Sequence, residues 1–403
     1  MRVNILPGKA FGKVCAPASK SMAHRMLICA GMSEGKSVIS GISHSEDMLA
    51  TLDCMKALGI ECVRDGDTVT VLGMDLRKAK PNAPLYCRES GSTLRFMLPL
   101  ALLSGNEAKL CAAASLMQRP MSVFEALCSE KGILYKQDQQ SITVKGPLKS
   151  GDYTVVGNIS SQFISGLLFA LPLLEGDSTL HIIPPVESKS YISLTISALS
   201  EFGVCVVWKD DHTLFIRGNQ KYKAHDTTVE GDYSNAAFLD AFNLFDGDVA
   251  VDGLNKDSIQ GDKVYKRYFE MLCKGTPTIH IGDCPDLGPI LFSVAAAKNG
   301  GIFNGTRRLR IKESDRAQAM AEELKKFGSS VTVYEDTVVV YPVAFHAPNE
   351  PLLGHNDHRI VMALSVLLTL TGGSITGAEA VRKSFPDFFE YLEKLNISVS
   401  TEE

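Results

Sequence analysis

A repeat of about 70 residues runs through the chain and constrains its fold more than any other feature. Six apolar segments, each preceded by a polar cluster, end near Gly35, Gly105, Gly176, Gly247, Gly300 and Gly372. The intervals between these glycines are 70, 71, 71, 53 and 72 residues, so only the fifth repeat is short. Polar residues before an apolar segment and glycine after it are typical of helix ends. We therefore expect six buried helices closed by left-handed glycines.

A second pattern recurs in step with the first. An amphipathic segment closed by glycine precedes an alternating apolar and polar run at residues 60–72, 133–144, 204–216 and 329–341. Such a run with an acidic or glycine turn near its middle predicts a β-hairpin after a helix. The fourth copy is weak, with residues 278–281 as its strand, and the sixth stops after one strand at residues 397–399. Each repeat is therefore predicted to be β-α-β-α-β-β.

The repeats also predict how the chain divides into domains. Units of about 70 residues are too small to form six independent large domains. A continuous solenoid is disfavoured, because solenoid repeats normally have 20–50 residues. We predict an α/β (α+β) fold of two similar domains, each built from three βαβαββ repeats. A cleft between two such domains is a common ligand site.

Composition narrows the possible functions. The chain carries 41 basic and 46 acidic residues, which argues against a broad basic face for nucleic acid. Its apolar runs are shorter than the ~18 residues of a membrane helix, and residues 1–20 lack a signal-peptide pattern. None of the ten cysteines shows Cys-x-x-Cys spacing, so we expect reduced thiols and no metal. A cytoplasmic protein without nucleic-acid or membrane partners is expected.

The predicted helix starts carry more polar groups than capping requires. If the first helix begins near Ser21, then Lys20, Ser21, Arg25 and free backbone N–H groups converge on one anion. The alternative is a capped helix with a solvated arginine. At the second start Gly91 permits close approach of a ligand to the backbone, and at the third Ser160-Ser161-Gln162 offers two hydroxyls and an amide. A plain N-cap is the alternative at the second start.

The last two repeats hold further charges. Lys312 and Arg316 are four residues apart, and on one helix face such a pair favours an anion between them, although pairing with Glu313 or Asp315 is an alternative. The cluster of residues 356–359 opens a strongly apolar helix, where the helix dipole favours an anion. Lys383 adds a cation, with a solvated lysine as the alternative, and Asp286 adds a carboxylate, with a simple N-cap as the alternative. Together these features predict a cleft for a multiply anionic substrate.

The order of these motifs resembles that of the 5-enolpyruvylshikimate-3-phosphate synthase family over essentially the whole chain. The matching segments are Ser19-Lys20-Ser21 with Arg25, Ser90-Gly91 with Arg95, Gln118-Arg119-Pro120, Ser160-Ser161-Gln162-Phe163, Ser188-Lys189 with Tyr191, Pro285-Asp286, Lys312-Glu313-Ser314-Asp315-Arg316, Asn356-Asp357-His358-Arg359 and Lys383-Ser384-Phe385-Pro386. So many ordered matches are far more specific than any single motif.

The resemblance implies a transferase of the shikimate pathway, which serves aromatic amino acid biosynthesis. The family transfers the enolpyruvyl group of phosphoenolpyruvate to the 5-hydroxyl of shikimate 3-phosphate and releases phosphate, without a metal or organic cofactor. Residues 18–228 would form the N-terminal domain, mainly on the shikimate 3-phosphate side. Residues 1–17 and 229–403 would form the C-terminal domain, mainly on the phosphoenolpyruvate side, with the active site in the cleft between them. A monomer inhibited by glyphosate is expected.

The resemblance also assigns roles by position. Shikimate 3-phosphate would be bound by Lys20, Ser21, Arg25, Ser160, Ser161, Gln162, Ser188, Tyr191, Asp286 and Lys312. Phosphoenolpyruvate would be bound by Lys20, Gly91, Arg95, Arg119, Gln162, Arg316, Arg359 and Lys383. Asp286 would accept the proton of the attacking hydroxyl, Glu313 would protonate the methylene carbon, and Lys20 is a further candidate for proton transfer.

Four positions depart from the family pattern. Ala18 replaces a usual glycine, Glu89 a usual asparagine, Phe96 a common proline, and Arg308 an asparagine whose substrate contact is not carried over. These departures affect expected affinity rather than the expected reaction.

Two other functions are compatible with parts of the pattern. A sister enzyme that acts on UDP-N-acetylglucosamine shares the fold, but it normally has a loop cysteine where Ala114 stands here. A non-enzymatic protein that only binds anions would gain nothing from Asp286 and Glu313.

Overall fold

The computed structural model describes residues 1–402 and divides the chain into two compact units. The N-terminal unit is Ala18–Glu230, and the C-terminal unit combines Met1–Pro17 with the chain from Gly231 onward. The division expected from the sequence, after residues 17 and 228, puts the second crossing two residues earlier. Each unit encloses its own apolar core.

The helices occur mostly in pairs, two to a repeat. In chain order the α-helices are α1 (Lys20–Gly31), α2 (Glu46–Ala57), α3 (Gly91–Ala101), α4 (Ala114–Met117), α5 (Ser122–Glu130), α6 (Ser161–Ala170), α7 (Lys189–Glu201), α8 (Tyr233–Asp240), α9 (Tyr265–Lys274), α10 (Gly288–Ala297), α11 (Arg316–Lys326), α12 (His358–Thr371) and α13 (Phe388–Lys394). The first helix of each pair is apolar on nearly all sides and is buried, as α6 and α10 illustrate. The second helix is more amphipathic and covers one side of the core, as α9 and α11 do.

The strands are short and most belong to four-stranded sheets. In chain order they are β1 (Arg2–Ile5), β2 (Phe11–Cys15), β3 (Ser33–Ser40), β4 (Glu61–Asp65), β5 (Thr68–Gly73), β6 (Leu85–Tyr86), β7 (Glu107–Cys111), β8 (Leu134–Gln137), β9 (Ser141–Lys145), β10 (Asp152–Val156), β11 (Ser178–Ile183), β12 (Val206–Asp210), β13 (Thr213–Ile216), β14 (Tyr222–Lys223), β15 (Thr227–Thr228), β16 (Asp248–Asp252), β17 (Thr278–His280), β18 (Gly301–Asn304), β19 (Val331–Val333), β20 (Thr337–Val340), β21 (Leu352–Leu353), β22 (Gly373–Thr376) and β23 (Val399–Glu402).

One sheet topology recurs. In the third repeat the order is β10-β11-β13-β12, where β10 and β11 are parallel and the other neighbours are antiparallel. The sheets β6-β7-β9-β8 and β17-β18-β20-β19 have the same arrangement. The parallel pair flanks the first helix of the repeat, because a parallel connection needs a crossover. The predicted βαβαββ order is confirmed in these three repeats, and all four predicted hairpins are confirmed.

The remaining repeats complete their sheets with strands from distant parts of the chain. In the sixth repeat, β1 lies between β22 and β23, so the start of the chain supplies the strand that the sequence pattern lacks. In the first repeat, β3 pairs in parallel with β14 and β15, which come from the C-terminal end of the N-terminal unit. The fourth repeat has only the parallel pair β2 and β16. The strand near residues 278–281, assigned above to the fourth repeat, is β17 and belongs to the fifth.

Polar side chains cap the buried helices, but the glycine expectation is partly wrong. Ser19, Ser90, Ser160, Asp232 and Asp357 accept hydrogen bonds from N–H groups in the first turns of their helices. Among the expected glycine caps, Gly372 directly follows its helix with φ +75°, whereas Gly35 lies inside β3, and Gly176 and Gly247 are not left-handed. Three-ten turns end several of these helices, which removes the need for a glycine there.

Within residues 1–402, no helix combines the length and the apolar character that crossing a membrane requires. No group of three histidine, cysteine or acidic side chains in that range is arranged to hold a metal ion.

The central position of β1 generates a stability prediction. Ile5 is the last residue of β1 in the sheet of the sixth repeat, and its side chain is 0% exposed. The neighbouring Leu6 is 59% exposed. We expect Ile5→Ala to lower the free energy of unfolding by about 2–4 kcal/mol, because it leaves a cavity in the core. The control Leu6→Ala removes a similar side chain from the surface and should change it by less than about 0.5 kcal/mol. Urea unfolding followed by far-ultraviolet circular dichroism measures both, and equal effects would contradict the placement of β1.

Candidate active site

A buried arginine organises the charged residues of the C-terminal unit. Arg316 is the first residue of α11 and is 1% exposed. Its NH1 atom lies 2.7 Å from Oδ1 of Asp286, its NH2 atom 2.8 Å from Oε2 of Glu313, and its Nε atom 2.8 Å from Oδ2 of Asp357. Three carboxylates from three separate segments therefore converge on one guanidinium.

Asp286 lies in the short 3-10 helix Pro285–Leu287, ahead of α10. Its carboxylate does not cap that helix, so the alternative of a simple N-cap is wrong. Burial disfavours its charged form. The positive charges of Lys312, Arg316 and Arg359 nevertheless outweigh burial and hold the pKa of Asp286 well below its usual range.

Lys312 and Arg316 do not share a helix face, contrary to the sequence prediction. Lys312 is in an extended conformation after the 3-10 helix Arg307–Ile311, and α11 begins only at Arg316. Both cations still meet at Asp286, where Nζ of Lys312 is 3.6 Å from Oδ1. Burial lowers the pKa of Lys312 to about 8, although the carboxylate of Asp286 partly opposes this effect.

The start of α12 supplies two more cationic contacts. Asp357, rather than Asn356, is the N-cap and accepts from the backbone N–H of Arg359 at 2.9 Å. The Arg359 side chain donates to Oδ1 of Asn235 at 3.0 Å and lies 3.6 Å from Oδ2 of Asp286. Nζ of Lys383 donates to the carbonyl oxygen of Asn356 at 2.6 Å. The sequence-predicted residues Asp286, Lys312, Glu313, Arg316 and Arg359 thus form one network, with Lys383 attached to the loop before α12.

In the N-terminal unit, neutral groups hold the buried Arg25. Its guanidinium donates to the Thr195 hydroxyl at 2.8 Å and to the carbonyl oxygens of Ser21 and Tyr191 at 2.6 and 3.0 Å. Burial lowers the pKa of Arg25 to about 10. In the part of the chain that the structure describes, no carboxylate lies within ion-pair distance of Arg25. A bound anion would therefore offset the cost of burying this charge.

Lys20 is held by a residue that the sequence reasoning missed. Lys20 is the first residue of α1, and its Nζ lies 2.8 Å from Oδ2 of Asp47 in α2. Both side chains are largely buried. Asp47 sits in the acidic first turn of α2, a helix-dipole pattern that resembles ordinary capping and gave no separate signal.

Gly91 lies where three polar side chains meet. A Cβ atom on Gly91 would be 3.0 Å from NH1 of Arg95, 3.1 Å from NH1 of Arg119 and 3.6 Å from Oε1 of Gln162. Arg95 donates to Gln162 at 2.8 Å, and Gln162 donates to the Ser92 hydroxyl at 2.9 Å. The structure therefore brings together Gly91, Arg95, Arg119 and Gln162, which the sequence places in three separate segments.

The predicted serines and tyrosine lie on two neighbouring helices. Ser160 caps α6 by accepting from the N–H of Gln162, and Ser161 is buried in the first turn. Ser188 precedes α7 with a left-handed φ of +56°, and its carbonyl oxygen accepts from the N–H of Tyr191 at 3.0 Å. The Tyr191 carbonyl in turn accepts from Arg25. The contact between Tyr191 and Arg25 connects the start of α7 with α1.

Two further acidic residues of the C-terminal unit were missed. Asp357 is fully buried against Arg316, and its place at the N-cap of an apolar helix was the available signal. Asp262 accepts from the Ser234 hydroxyl, and burial, together with the negative charge of Asp286, raises its pKa to about 6. Asp262 has no sequence pattern of its own.

Two of the departures from the family pattern can be placed. Phe96 is buried in α3, where its ring packs edge-on against Phe169 at 5.3 Å and lies below the guanidinium of Arg25. Arg308 is buried, donates to the carbonyl oxygen of Gly282, and its positive charge helps to lower the pKa of Lys312.

Comparisons with known proteins agree over nearly the full length. The family model described as EPSP synthase (3-phosphoshikimate 1-carboxyvinyltransferase) matches residues 7–392. The 3-phosphoshikimate 1-carboxyvinyltransferase of Clostridium kluyveri is 39% identical, over 98% of this chain and 97% of that protein. The enzyme of that name from Clostridium perfringens is 38% identical, over 98% of each chain.

Solved structures give the same result. The EPSP synthase of Acinetobacter baumannii has a TM-score of 0.80 at 25% identity, over 99% of this chain and 100% of that one. The α/β (α+β) fold and the family resemblance predicted from the sequence are confirmed. With residues 7–392 matched and relatives 38–39% identical along almost its entire length, this chain belongs to the EPSP synthase (3-phosphoshikimate 1-carboxyvinyltransferase) family.

Proposed function

We propose that this protein transfers the enolpyruvyl group of phosphoenolpyruvate to the 5-hydroxyl of shikimate 3-phosphate and releases inorganic phosphate. Membership of the family over residues 7–392 supports this activity. The observation that carries it is the network in which Asp286 and Glu313 lie 2.7 and 2.8 Å from one buried Arg316, beside Lys312. Carboxylates for proton transfer and cations for an anionic substrate are what an addition–elimination on phosphoenolpyruvate needs.

The reaction is an addition followed by an elimination. The 5-hydroxyl oxygen bonds to C2 of phosphoenolpyruvate, its proton passes to Asp286, and the C3 methylene takes a proton from Glu313. The tetrahedral adduct then loses phosphate from C2, and a proton from C3 returns to the Glu313 carboxylate, which restores the double bond in the enolpyruvyl ether. Lys20 is a further candidate for a proton transfer. Cations around the phosphate stabilise the leaving group.

Binding of phosphoenolpyruvate would prepare Asp286 as a base. Without ligand, the surrounding cations keep the pKa of Asp286 well below its usual range, and such a carboxylate is a weak proton acceptor. The carboxylate and phosphate of phosphoenolpyruvate would draw on the positive charge of Arg316 and Arg359. Each cation that turns to the ligand stabilises the Asp286 carboxylate less, so its pKa rises toward a useful value.

We assign the ligand-binding residues as the sequence predicts. Shikimate 3-phosphate is bound mainly by the N-terminal unit, where neutral groups hold Arg25 near Ser188 and Tyr191. Phosphoenolpyruvate is bound by Arg95, Arg119 and Gln162 around Gly91. In the C-terminal unit it is bound by Arg316, Arg359 and Lys383. We further propose that the enzyme acts in the cytoplasm as a monomer, and that it needs no metal or organic cofactor.

A phosphate-release assay tests the proposal. Purified protein is given phosphoenolpyruvate with either shikimate 3-phosphate or UDP-N-acetylglucosamine as acceptor. Release that depends on shikimate 3-phosphate supports the proposed activity. Release only with UDP-N-acetylglucosamine would identify the sister reaction, which Ala114 disfavours, and release with neither acceptor would leave a binding protein.

Removing either proposed proton-transfer group should lower turnover strongly. Asp286→Asn and Glu313→Gln keep the shape of each side chain but abolish its proton chemistry. We expect at least about a 100-fold loss of kcat with smaller changes in substrate binding. The exposed Asp283, three residues before Asp286, gives the control Asp283→Asn, which should retain near-normal turnover. If Asp286→Asn and Glu313→Gln also retain it, the two carboxylates serve only as ion-pair partners of Arg316.

The pKa of Lys312 predicts how activity depends on pH. With a pKa of about 8, Lys312 is cationic below pH 8 and neutral above it. We therefore expect kcat/KM for shikimate 3-phosphate to fall as the pH rises through about 8, because an anion-binding charge disappears. Lys312→Arg keeps its charge throughout this range and should flatten the fall. If kcat/KM falls in the same way above pH 8 in the two proteins, the fall belongs to another group.

Gly91 predicts how the enzyme responds to glyphosate. We expect glyphosate to compete with phosphoenolpyruvate and to approach the backbone at Gly91 more closely than the substrate does. In Gly91→Ala the new methyl group would lie 3.0–3.1 Å from two guanidinium nitrogens, so it narrows this space. The variant should raise the glyphosate inhibition constant by a larger factor than the KM for phosphoenolpyruvate. Inhibition kinetics at saturating shikimate 3-phosphate measure both, and equal factors would place glyphosate elsewhere.

A further inference from the structure

The loop before α12 adopts a costly backbone conformation. His355 and Asn356 have φ values of +49° and +52°, in the left-handed region that residues other than glycine seldom adopt. Such conformations persist only when surrounding contacts hold them. This loop carries the Asn356 carbonyl, which accepts from Lys383, and Asp357, which binds Arg316 and caps α12.

A buried carboxylate outside the catalytic network holds this loop. Glu323 in α11 is 1% exposed. Its Oε1 atom lies 3.0 Å from Nε2 of His355, and its Oε2 atom accepts from the backbone N–H of Leu353 at 2.9 Å. Lys326 lies 3.1 Å from the same oxygen. Glu323 therefore holds the chain on both sides of Gly354, at Leu353 and at His355, the first of the two left-handed residues.

Helix α11 connects these contacts of Glu323 to Arg316, the partner of the proposed proton-transfer groups. Arg316 and Glu323 are seven residues apart, which places them on one helix face about 10 Å from each other. Arg316 binds Asp357 directly after the two left-handed residues, and Glu323 binds Leu353 before them and His355, the first of them. One helix face thus fixes both ends of the loop.

We propose that Glu323 and His355 are positioning residues for the phosphoenolpyruvate half of the reaction. They act through the loop by holding the Asn356 carbonyl and Asp357, and thereby Lys383 and Arg316, in place for the anionic substrate. Neither side chain contacts a residue assigned to shikimate 3-phosphate. Loss of either side chain should therefore weaken the binding of phosphoenolpyruvate and leave the binding of shikimate 3-phosphate nearly unchanged.

Steady-state kinetics with each substrate varied in turn test this role. Glu323→Ala should raise KM for phosphoenolpyruvate about tenfold, the effect of losing buried hydrogen bonds, and change KM for shikimate 3-phosphate less than about twofold. The exposed neighbour Glu322 gives the matched control Glu322→Ala, which removes a carboxylate from the exposed surface of α11. Glu323→Gln retains an acceptor for the Leu353 N–H and should recover most of the affinity.

A second variant separates positioning from folding. His355→Asn keeps a residue type that tolerates a left-handed φ but is too short to reach Glu323. It should raise KM for phosphoenolpyruvate in the same way, and the double variant Glu323→Ala with His355→Asn should be no worse than the more affected single variant. Additive effects would mean that the two side chains act separately.

The outcomes also distinguish this inference from the proposed function on which it rests. If the unaltered protein releases no phosphate with shikimate 3-phosphate, the proposed function itself fails. If the unaltered protein is active, the inference is overturned when Glu323→Ala and His355→Asn match Glu322→Ala. It is likewise overturned when they raise both KM values equally or lower activity only in proportion to the folded fraction.

Discussion

The ion pairs of Arg316 determine much of the arrangement in the C-terminal unit. A guanidinium that is 1% exposed needs acceptors for its donors, and here three carboxylates accept from it and also neutralise its charge. Asp286, Glu313 and Asp357 come from three segments that need not otherwise meet. Loss of Arg316 would leave the three carboxylates without the cation that they share, and breaking a buried ion pair in this way typically costs about 3–5 kcal/mol. The same interaction that stabilises the fold therefore sets the positions of the proposed proton-transfer groups.

The two units hold their buried arginines in different ways. Arg316 is surrounded by carboxylates, so an anionic ligand near it must compete with existing ion pairs. Arg25 is held by hydroxyl and carbonyl oxygens, so an anion there meets a charge that no carboxylate within the described residues neutralises. An enzyme with two anionic substrates benefits from both arrangements. In the proposed reaction, Arg25 presents a ready cation, and the Arg316 network would couple ligand binding to the pKa of Asp286.

The sheets position these groups because their strands determine where the buried helices begin. In the second, third, fifth and sixth repeats a parallel strand pair flanks the buried first helix, so the polar start of that helix comes soon after the end of a strand. Polar caps at these starts satisfy backbone donors, and the residues proposed to bind ligands lie beside these caps. The cationic residues at the helix starts thus follow from a repeated structural unit rather than from six unrelated features.

The sequence alone determined the repeat, the buried helices and the hairpins, because these depend on periodicity and capping within about 20 residues. It also determined the family, since ordered motifs identify a lineage without any geometry. Only the tertiary structure decided the pairing of β1 with β22, the partnership of Lys20 with Asp47, and the meeting of Lys312 with Arg316 at Asp286. Each of these contacts joins residues that are far apart in the chain, and a charge pattern cannot distinguish a helix cap from a buried ion-pair partner. Which of the two an acidic residue becomes depends on what the rest of the chain packs against it.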